Sequence, residues 1–166
     1  MYKRQFFLIY GLAVLLGSML LSGCNIGGTT SSVVEEEPTV EANVKQLLKT
    51  NECEGCDLSH ADLMGADLRL AKLKDADLSG ANLNRADLRR ADLYAVDLSN
   101  ANLQSANMQN ADLKHAIMRD ADLRDADLTD ATLTAGTIDH FDVDFTGATW
   151  TDGSTCESMN CDGKAY

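Results

Sequence analysis

The sequence predicts an all-β solenoid, in which short extended segments coil around an apolar centre. Residues 56–135 divide into sixteen consecutive pentapeptides with the pattern Ala-(Asp/Asn)-Leu-x-x. The first residue of each unit is Ala except at Cys56 and Val96, and the third is Leu except at Met108 and Met118. A repeat this short cannot fold alone, so each unit must bury its apolar side chains against its neighbours.

A five-residue period fits neither regular element of secondary structure. On an α-helix, at about 100° per residue, successive leucines would lie roughly 140° apart and form no apolar stripe. On a flat strand, an odd period would send alternate leucines to opposite faces. Ala and Leu are two residues apart and share one side of an extended segment, so one turn per repeat points every pair toward a common axis. The Asp or Asn between them can bond nearby backbone groups at those turns.

This pattern resembles that of the pentapeptide-repeat family, whose members form a right-handed, quadrilateral β-helix with four pentapeptides per coil. The resemblance implies four complete coils in residues 56–135, with the third residues of every fourth unit stacked along one face. The predicted core stack consists of Leu58, Leu63, Leu68, Leu73, Leu78, Leu83, Leu88, Leu93, Leu98, Leu103, Met108, Leu113, Met118, Leu123, Leu128 and Leu133, with Ile138 as a further member. Residues 143–152 return to the motif two residues out of register, and we expect them to form a fifth, irregular coil.

Residues 1–23 are typical of a bacterial lipoprotein signal peptide. Two basic residues precede an apolar run over residues 6–21, and small residues then lead to Cys24. The run is shorter than the ~20 residues of a membrane-spanning helix, which is the alternative interpretation. The resemblance to lipoprotein signals implies that Cys24 becomes the first mature residue and carries the lipid, palmitate included. Asn25 then favours the outer membrane, with the protein facing the periplasm.

The segment between this signal and the repeats is predicted to hold a tether and a helix. Residues 24–38 are rich in Gly, Ser, Thr and Glu, which is typical of a flexible tether. In residues 39–52, apolar side chains fall at i, i+4, i+7 and i+8, and these are Val40, Val44, Leu47 and Leu48. This spacing predicts a short amphipathic α-helix. We expect it to cover the unpaired edge of the first coil, with a partner-binding helix as the alternative.

The four remaining cysteines lie at the two ends of the predicted β-helix, residues 53–152. These ends are roughly 20 Å apart, and a disulfide spans a Cα separation of only about 7 Å, so only local pairing is expected. Cys156 and Cys161 would close a loop in the C-terminal tail, residues 153–166. Cys53 and Cys56 either form a disulfide or leave Cys56 as a small buried thiol. A zinc site would need all four together, so no metal is expected.

The formal net charge of −12 argues against a nucleic-acid partner. Acidic quinolone-resistance members of the resembled family imitate duplex DNA and bind DNA gyrase in the cytoplasm, but the lipid signal and a basic stripe disfavour that activity here. The candidate interaction patch consists of Arg69, Arg89, Arg90, Lys72, Lys74 and Lys114. By resemblance, the arginines share one side of the β-helix and the lysines lie along the adjoining side. The alternative is an ordinary solvated surface of mixed charge.

No catalytic constellation or cofactor site is expected, because His60 and His140 would lie about four coils apart. The C-terminal aromatic residues Phe141, Phe145 and Trp150 either close the last coil from within or form a homodimer contact. We therefore expect a non-enzymatic, lipid-anchored envelope protein whose rigid β-helix contacts an unknown envelope protein or surface. The alternatives are a passive spacer, a thiol-redox protein that uses the first cysteine pair, and a gyrase-binding DNA mimic.

Overall fold

The computed structural model of the chain describes residues 38–133 and 143–156. All of them belong to the second of two units into which the chain divides, Glu36–Tyr166. The described residues form one α-helix, followed by coils that pair through isolated bridges. Several predictions fall outside the described residues: the signal peptide, Cys24, most of the tether, Ile138, His140, Phe141 and Cys161.

Each coil contains twenty residues, which is four pentapeptides. The residue between Ala and Leu forms a single parallel bridge to the residue twenty positions later, as Asp57 does with Asp77 and Asp77 with Asp97. The backbone hydrogen bonds follow the same register. The N–H of Leu58 donates to the carbonyl of Asp77 at 2.7 Å, and the N–H of Asp77 donates to the carbonyl of Cys56 at 2.9 Å. Each coil is therefore fixed to its neighbours along the whole array.

The last two residues of each pentapeptide form a tight turn. The N–H of Ala61, for example, donates to the carbonyl of Leu58 at 3.1 Å, and His60 between them has a φ of 57°. A positive φ at this place is the signature of a type II turn, which favours Gly or Asn. Asp57 stabilises the turn, because its Oδ1 accepts a hydrogen bond from the Ser59 N–H at 3.0 Å. The same bond from the residue two positions later recurs in most repeats and explains their Asp or Asn.

The core lies along the axis of the coils. Fifteen of the sixteen side chains of the predicted stack are buried, and Leu133 is partly buried. The first-position alanines of the described repeats are buried beside them, except the partly buried Ala66, so successive coils fill the centre with two side chains from each pentapeptide. Where Asp side chains stack outside, Asn relieves their repulsion: Asn82 Nδ2 donates to Asp62 Oδ1 at 3.1 Å.

The register changes near the C-terminal end. Asp122 bridges Asp144 and Asp127 bridges Thr149, so these partners are twenty-two rather than twenty residues apart. The chain then reverses, and Thr149 forms an antiparallel bridge with Thr155. The residues 154–156 thereby pair with the last coil and cover its edge.

The helix α1, Val40–Thr50, precedes the first coil. Thr39 caps its N-terminus, where the Thr39 side chain accepts a hydrogen bond from the Ala42 N–H at 3.3 Å, and Asn51 caps its C-terminus in the left-handed conformation, with a φ of 62°. The Leu47 side chain is fully buried in the core. Asn43 is also buried, and its Nδ2 donates to the carbonyl of Asp57 at 2.9 Å. These contacts attach α1 to the first coil.

One residue of the predicted apolar face of α1 is exposed. The prediction that Leu48 faces the core is wrong, because 57% of it is accessible to solvent, whereas Val40 and Val44 pack partly against the core. At about 100° per residue, the face centred on Asn43 and Leu47 leaves Leu48 roughly 120° to one side.

Candidate interaction surface

Two columns of turns carry five of the six residues of the predicted basic patch, and Lys72 lies on the extended segment before the second column. In the first column the turns 69–70, 89–90 and 109–110 lie above one another, and the N–H of Leu70 donates to the carbonyl of Arg89 at 3.0 Å. We call this set the Leu70 column. In the second column the turns 74–75, 94–95 and 114–115 are stacked, and the N–H of Asp75 donates to the carbonyl of Tyr94 at 2.9 Å. We call this set the Tyr94 column.

Two arginines of the Leu70 column are fixed by carboxylates of their own repeats. Arg69 Nε and Nη2 donate to the two carboxylate oxygens of Asp67, both at 2.7 Å. Arg89 binds Asp87 in the same manner at 2.8 and 2.6 Å. The hydrogen bonds from Arg69 lower the pKa of Asp67 to about 2, and those from Arg89 lower the pKa of Asp87. Both carboxylates are therefore ionised at neutral pH.

The lysines of the patch have separate partners. Lys72 Nζ lies 2.7 Å from Glu52 Oε1, and Lys114 Nζ lies 3.2 Å from Asp112 Oδ2. Lys74 Nζ lies 5.3 Å from the centroid of the Tyr94 ring, which is a cation–π contact. Most of the predicted patch is therefore neutralised locally. Within the described part of the chain, Arg90 is the patch residue that has neither an ion pair nor a ring contact.

A groove separates the Leu70 column from the C-terminal end of α1. Its volume is about 670 Å³, and it includes three arginines of the predicted patch. The other lining residues are Leu48, Lys49, Thr50, Asn51, Asp67, Leu70, Gln109 and Asn110. The repeat pattern did not predict this groove. One signal was present in the sequence: Leu70 occupies the turn position where the other repeats place polar or small residues.

A disulfide lies where α1 meets the array. Cys53 and Cys56 are joined, with 5.3 Å between their Cα atoms. Cys53 is buried and Cys56 is half-buried, so the disulfide packs against the core beneath α1. Cys156 is buried and also disulfide-bonded. Its predicted partner, Cys161, lies beyond the described residues.

The aromatic side chains that the structure describes at the C-terminal end are directed inward. Phe145 and Trp150 are both buried, and their rings meet edge to face with 5.0 Å between centroids. They pack beneath the reversed segment 154–156, which is the arrangement expected for closure of the last coil from within. A homodimer contact through this cluster stays a prediction.

Over residues 38–133 and 143–156, no group of three or more His, Cys, Asp or Glu side chains is arranged to hold a metal ion. His60 lies over Gly80, where an added Cβ would meet its ring, and His115 packs edge to face on Tyr94. In the same residues no helix is both long enough and apolar enough to span a bilayer.

The geometry defines a class of protein, a parallel β-solenoid built from five-residue units. Pentapeptide repeats are matched in eight copies over residues 52–90, 71–110 and 97–134, which together make up half of the chain. The chain therefore belongs to the pentapeptide repeat family, as its sequence predicted. Proteins of this family are in general structural or interaction proteins rather than enzymes.

Solved structures of the same family are similar to this fold. A pentapeptide repeat protein from the Arabidopsis thaliana thylakoid lumen is 28% identical with a TM-score of 0.58, over 68% of this chain and 84% of its own. A pentapeptide repeat protein from Nostoc is 36% identical with a TM-score of 0.55, over 60% of this chain and 83% of its own. These likenesses confirm a right-handed β-helix. No curated protein matches the chain in sequence.

Proposed function

We propose that the chain is a non-enzymatic bacterial envelope lipoprotein whose β-helix is a rigid scaffold for protein contacts. The observation that carries the lipid anchor is the N-terminal sequence, in which a basic start, an apolar run and the residues Leu-Ser-Gly lead to Cys24. Acyl chains on this cysteine would hold the protein stably at a membrane, because more than one chain is attached. Asn25 supports the outer membrane and the periplasm as its place.

The distribution of side chains in the β-helix supports the scaffold. Two residues of each pentapeptide pack in the core, and the Asp or Asn between them hydrogen-bonds the backbone of the turn. The remaining two residues vary from one repeat to the next, so their side chains can be chosen for surface contacts without disturbing the fold. The array is tied by backbone hydrogen bonds at every repeat, which makes it a rigid support.

We also propose that the β-helix has a quadrilateral cross-section. Bridges recur every twenty residues and turns recur every five, so each coil has four extended segments and four turns. The contacts of Asn43 and Leu47 with the first coil support a capping role for α1. A closed N-terminal edge would prevent the array from pairing with another chain.

The anchor is tested by feeding an alkyne-labelled fatty acid to bacteria that express the full chain. We expect label on the wild type and none on Cys24→Ser, with the wild type in the outer-membrane fraction. A labelled Cys24→Ser protein, or an unlabelled and soluble mature wild type, would overturn the anchor.

The scaffold is tested separately by chemical crosslinking of whole envelopes, followed by isolation of the protein. A reproducible adduct that disappears after competition with excess purified protein supports a scaffold. Absence of any adduct at several crosslinker lengths would contradict the scaffold and would indicate that the protein is a passive spacer.

A further inference from the structure

Two of the four large apolar side chains that are exposed among the described residues line the same groove. Leu70 is 64% exposed and Leu48 is 57% exposed. Single exposed leucines are ordinary on protein surfaces, but here two line one concave site and can contact the same ligand. The groove therefore has an apolar contact area that the fold itself does not use.

Leu70 is unfavourable at its position for a second reason. Its φ is 61°, in the left-handed region that Gly, Asn and Asp occupy most readily. The next turn of the same column has Arg90 and the one after it has Asn110, so the fold does not require an apolar residue there. The turns of the array share this backbone conformation, so the feature that the fold does not explain is the apolar side chain of Leu70 and not its backbone.

The same groove is lined by cationic groups. Arg69 and Arg89 each use two N–H donors on their own carboxylates, so three of the five donors of each guanidinium remain for other acceptors. These guanidinium groups are already oriented by their carboxylates. Lys49 and Arg90 form no ion pair with any described residue. Two whole positive charges therefore remain in the groove of a chain whose net charge is −12.

The wall between α1 and the column is held in place by Asn51. Its Nδ2 donates to the carbonyl of Arg69 at 2.6 Å, and its own carbonyl accepts from the Lys72 N–H at 2.9 Å. The backbone of both walls is therefore held in place, which reduces the conformational entropy that the groove loses when a ligand binds.

We propose that this groove binds an acidic peptide segment of a protein partner. One apolar side chain of the peptide packs against Leu48 and Leu70, and its carboxylates bind Arg90, Lys49 and the free donors of the two paired arginines. A flat anionic membrane fits less well, because the site is concave. The inference rests on the scaffold half of the proposed function and needs no lipid anchor.

The test is a selection of random twelve-residue peptides displayed on phage against the purified full chain in detergent. We expect the enriched peptides to be acidic and to contain at least one large apolar residue. As synthetic peptides they should bind Leu70→Gly and Arg90→Ala at least about tenfold more weakly than the wild type. Gly accepts the backbone of residue 70 without strain, so the thermal midpoint of Leu70→Gly should be unchanged or higher, and weaker binding cannot be attributed to unfolding.

Two controls make comparable changes at another column of turns. Ser105→Gly makes the same backbone change at a φ of 56°, and Arg85→Ala removes an exposed arginine at a φ of 58°. Both should bind the peptides within about twofold of the wild type, since binding differences follow the residues that touch the ligand. Equal losses in these controls would contradict the assignment of the groove.

Other outcomes would also overturn the proposal. Enrichment of basic or uncharged peptides, or no enrichment, would refute an acidic peptide as the ligand. Displacement of the peptides by dihexanoyl phosphatidylglycerol below its micelle concentration, with a dependence on Arg90, would assign the groove to lipid instead. Fatty-acid labelling is read independently, so a failed peptide selection with a labelled Cys24 would refute the groove and leave the anchor intact.

Discussion

Replacing Leu98 by Ala should destabilise the protein by about 3–4 kcal/mol. Leu98 is fully buried in the middle of the array. Its N–H donates to the carbonyl of Ile117 at 2.7 Å, and the neighbouring coil is bound through the Leu78 N–H and the carbonyl of Asp97 at 2.8 Å. The substitution removes about three buried carbon groups, which is about 2.4 kcal/mol at roughly 0.8 kcal/mol each. The coils are tied on both sides and cannot collapse into the space, so a cavity adds about 1 kcal/mol or more.

The control for this prediction is Leu70→Ala, which is the same chemical change at a residue that is 64% exposed. It should change the free energy of unfolding by no more than about 0.5 kcal/mol. The measurement is equilibrium unfolding in guanidinium chloride, followed by far-ultraviolet circular dichroism. Trp150, the one Trp of the chain, gives a second signal from the last coil. If both substitutions had equal effects, or if Leu98→Ala lost less than about 1 kcal/mol, the inward stack would be wrong.

Three further predictions concern the ends and the charges of the array. Asn43→Ala removes the 2.9 Å hydrogen bond that attaches α1 to the first coil, and it should raise amide exchange in α1 and cost about 1–2 kcal/mol. Replacing both Cys53 and Cys56 by Ser should cost up to about 2 kcal/mol by loop-closure entropy, measured by chemical denaturation. Acid should weaken the fold, measured by denaturation midpoints between pH 6 and 2. The pKa of Asp67 is lowered to about 2 by its hydrogen bonds with Arg69, below its value in the unfolded chain, so its contribution is present above about pH 4 and is lost toward pH 2.

Each of these three predictions has a control. Glu41→Ala alters an exposed residue of α1 and should leave amide exchange near that of the wild type. The double Ser variant should leave the Trp150 signal almost unchanged, because disturbances in a solenoid are transmitted mainly between neighbouring coils. Arg69→Gln should reduce the dependence on pH, since Asp67 then loses its charged partner. An acid midpoint that equals the midpoint at pH 6 would show that the paired carboxylates do not contribute.

The sequence predicted the coils well because the repeat leaves few alternatives. Leu and Ala two residues apart can share a core only if the chain turns once per pentapeptide, and bridges such as that between Asp57 and Asp77 have this register. The role of the Asp and Asn residues in the turns could also be predicted, because each side chain bonds the backbone only two residues later. Local chemistry and the repeat period point to one fold.

The groove could not be predicted from the same pattern. Its walls come from α1 and from turns that lie up to about sixty residues further along the chain, so its shape depends on how the helix sits on the first coil. The spacing of apolar residues in α1 placed Leu48 on the buried face of the helix. In the structure Asn43 makes that contact with the first coil, and Leu48 is exposed in the groove. The basic residues were visible, but the pairing of Arg69 and Arg89 within their own repeats required side-chain positions.

The most direct test of the account is photo-crosslinking from the groove in living bacteria. A benzophenone amino acid replaces Leu70 in the lipidated full chain, and Ser105 is replaced in a parallel strain as the control at an exposed turn elsewhere. The account predicts one discrete protein adduct from position 70, its loss on addition of an acidic peptide selected against the groove, and no such adduct from position 105. Equal adducts from both positions, or none from position 70, would contradict a scaffold that holds its partner in this groove.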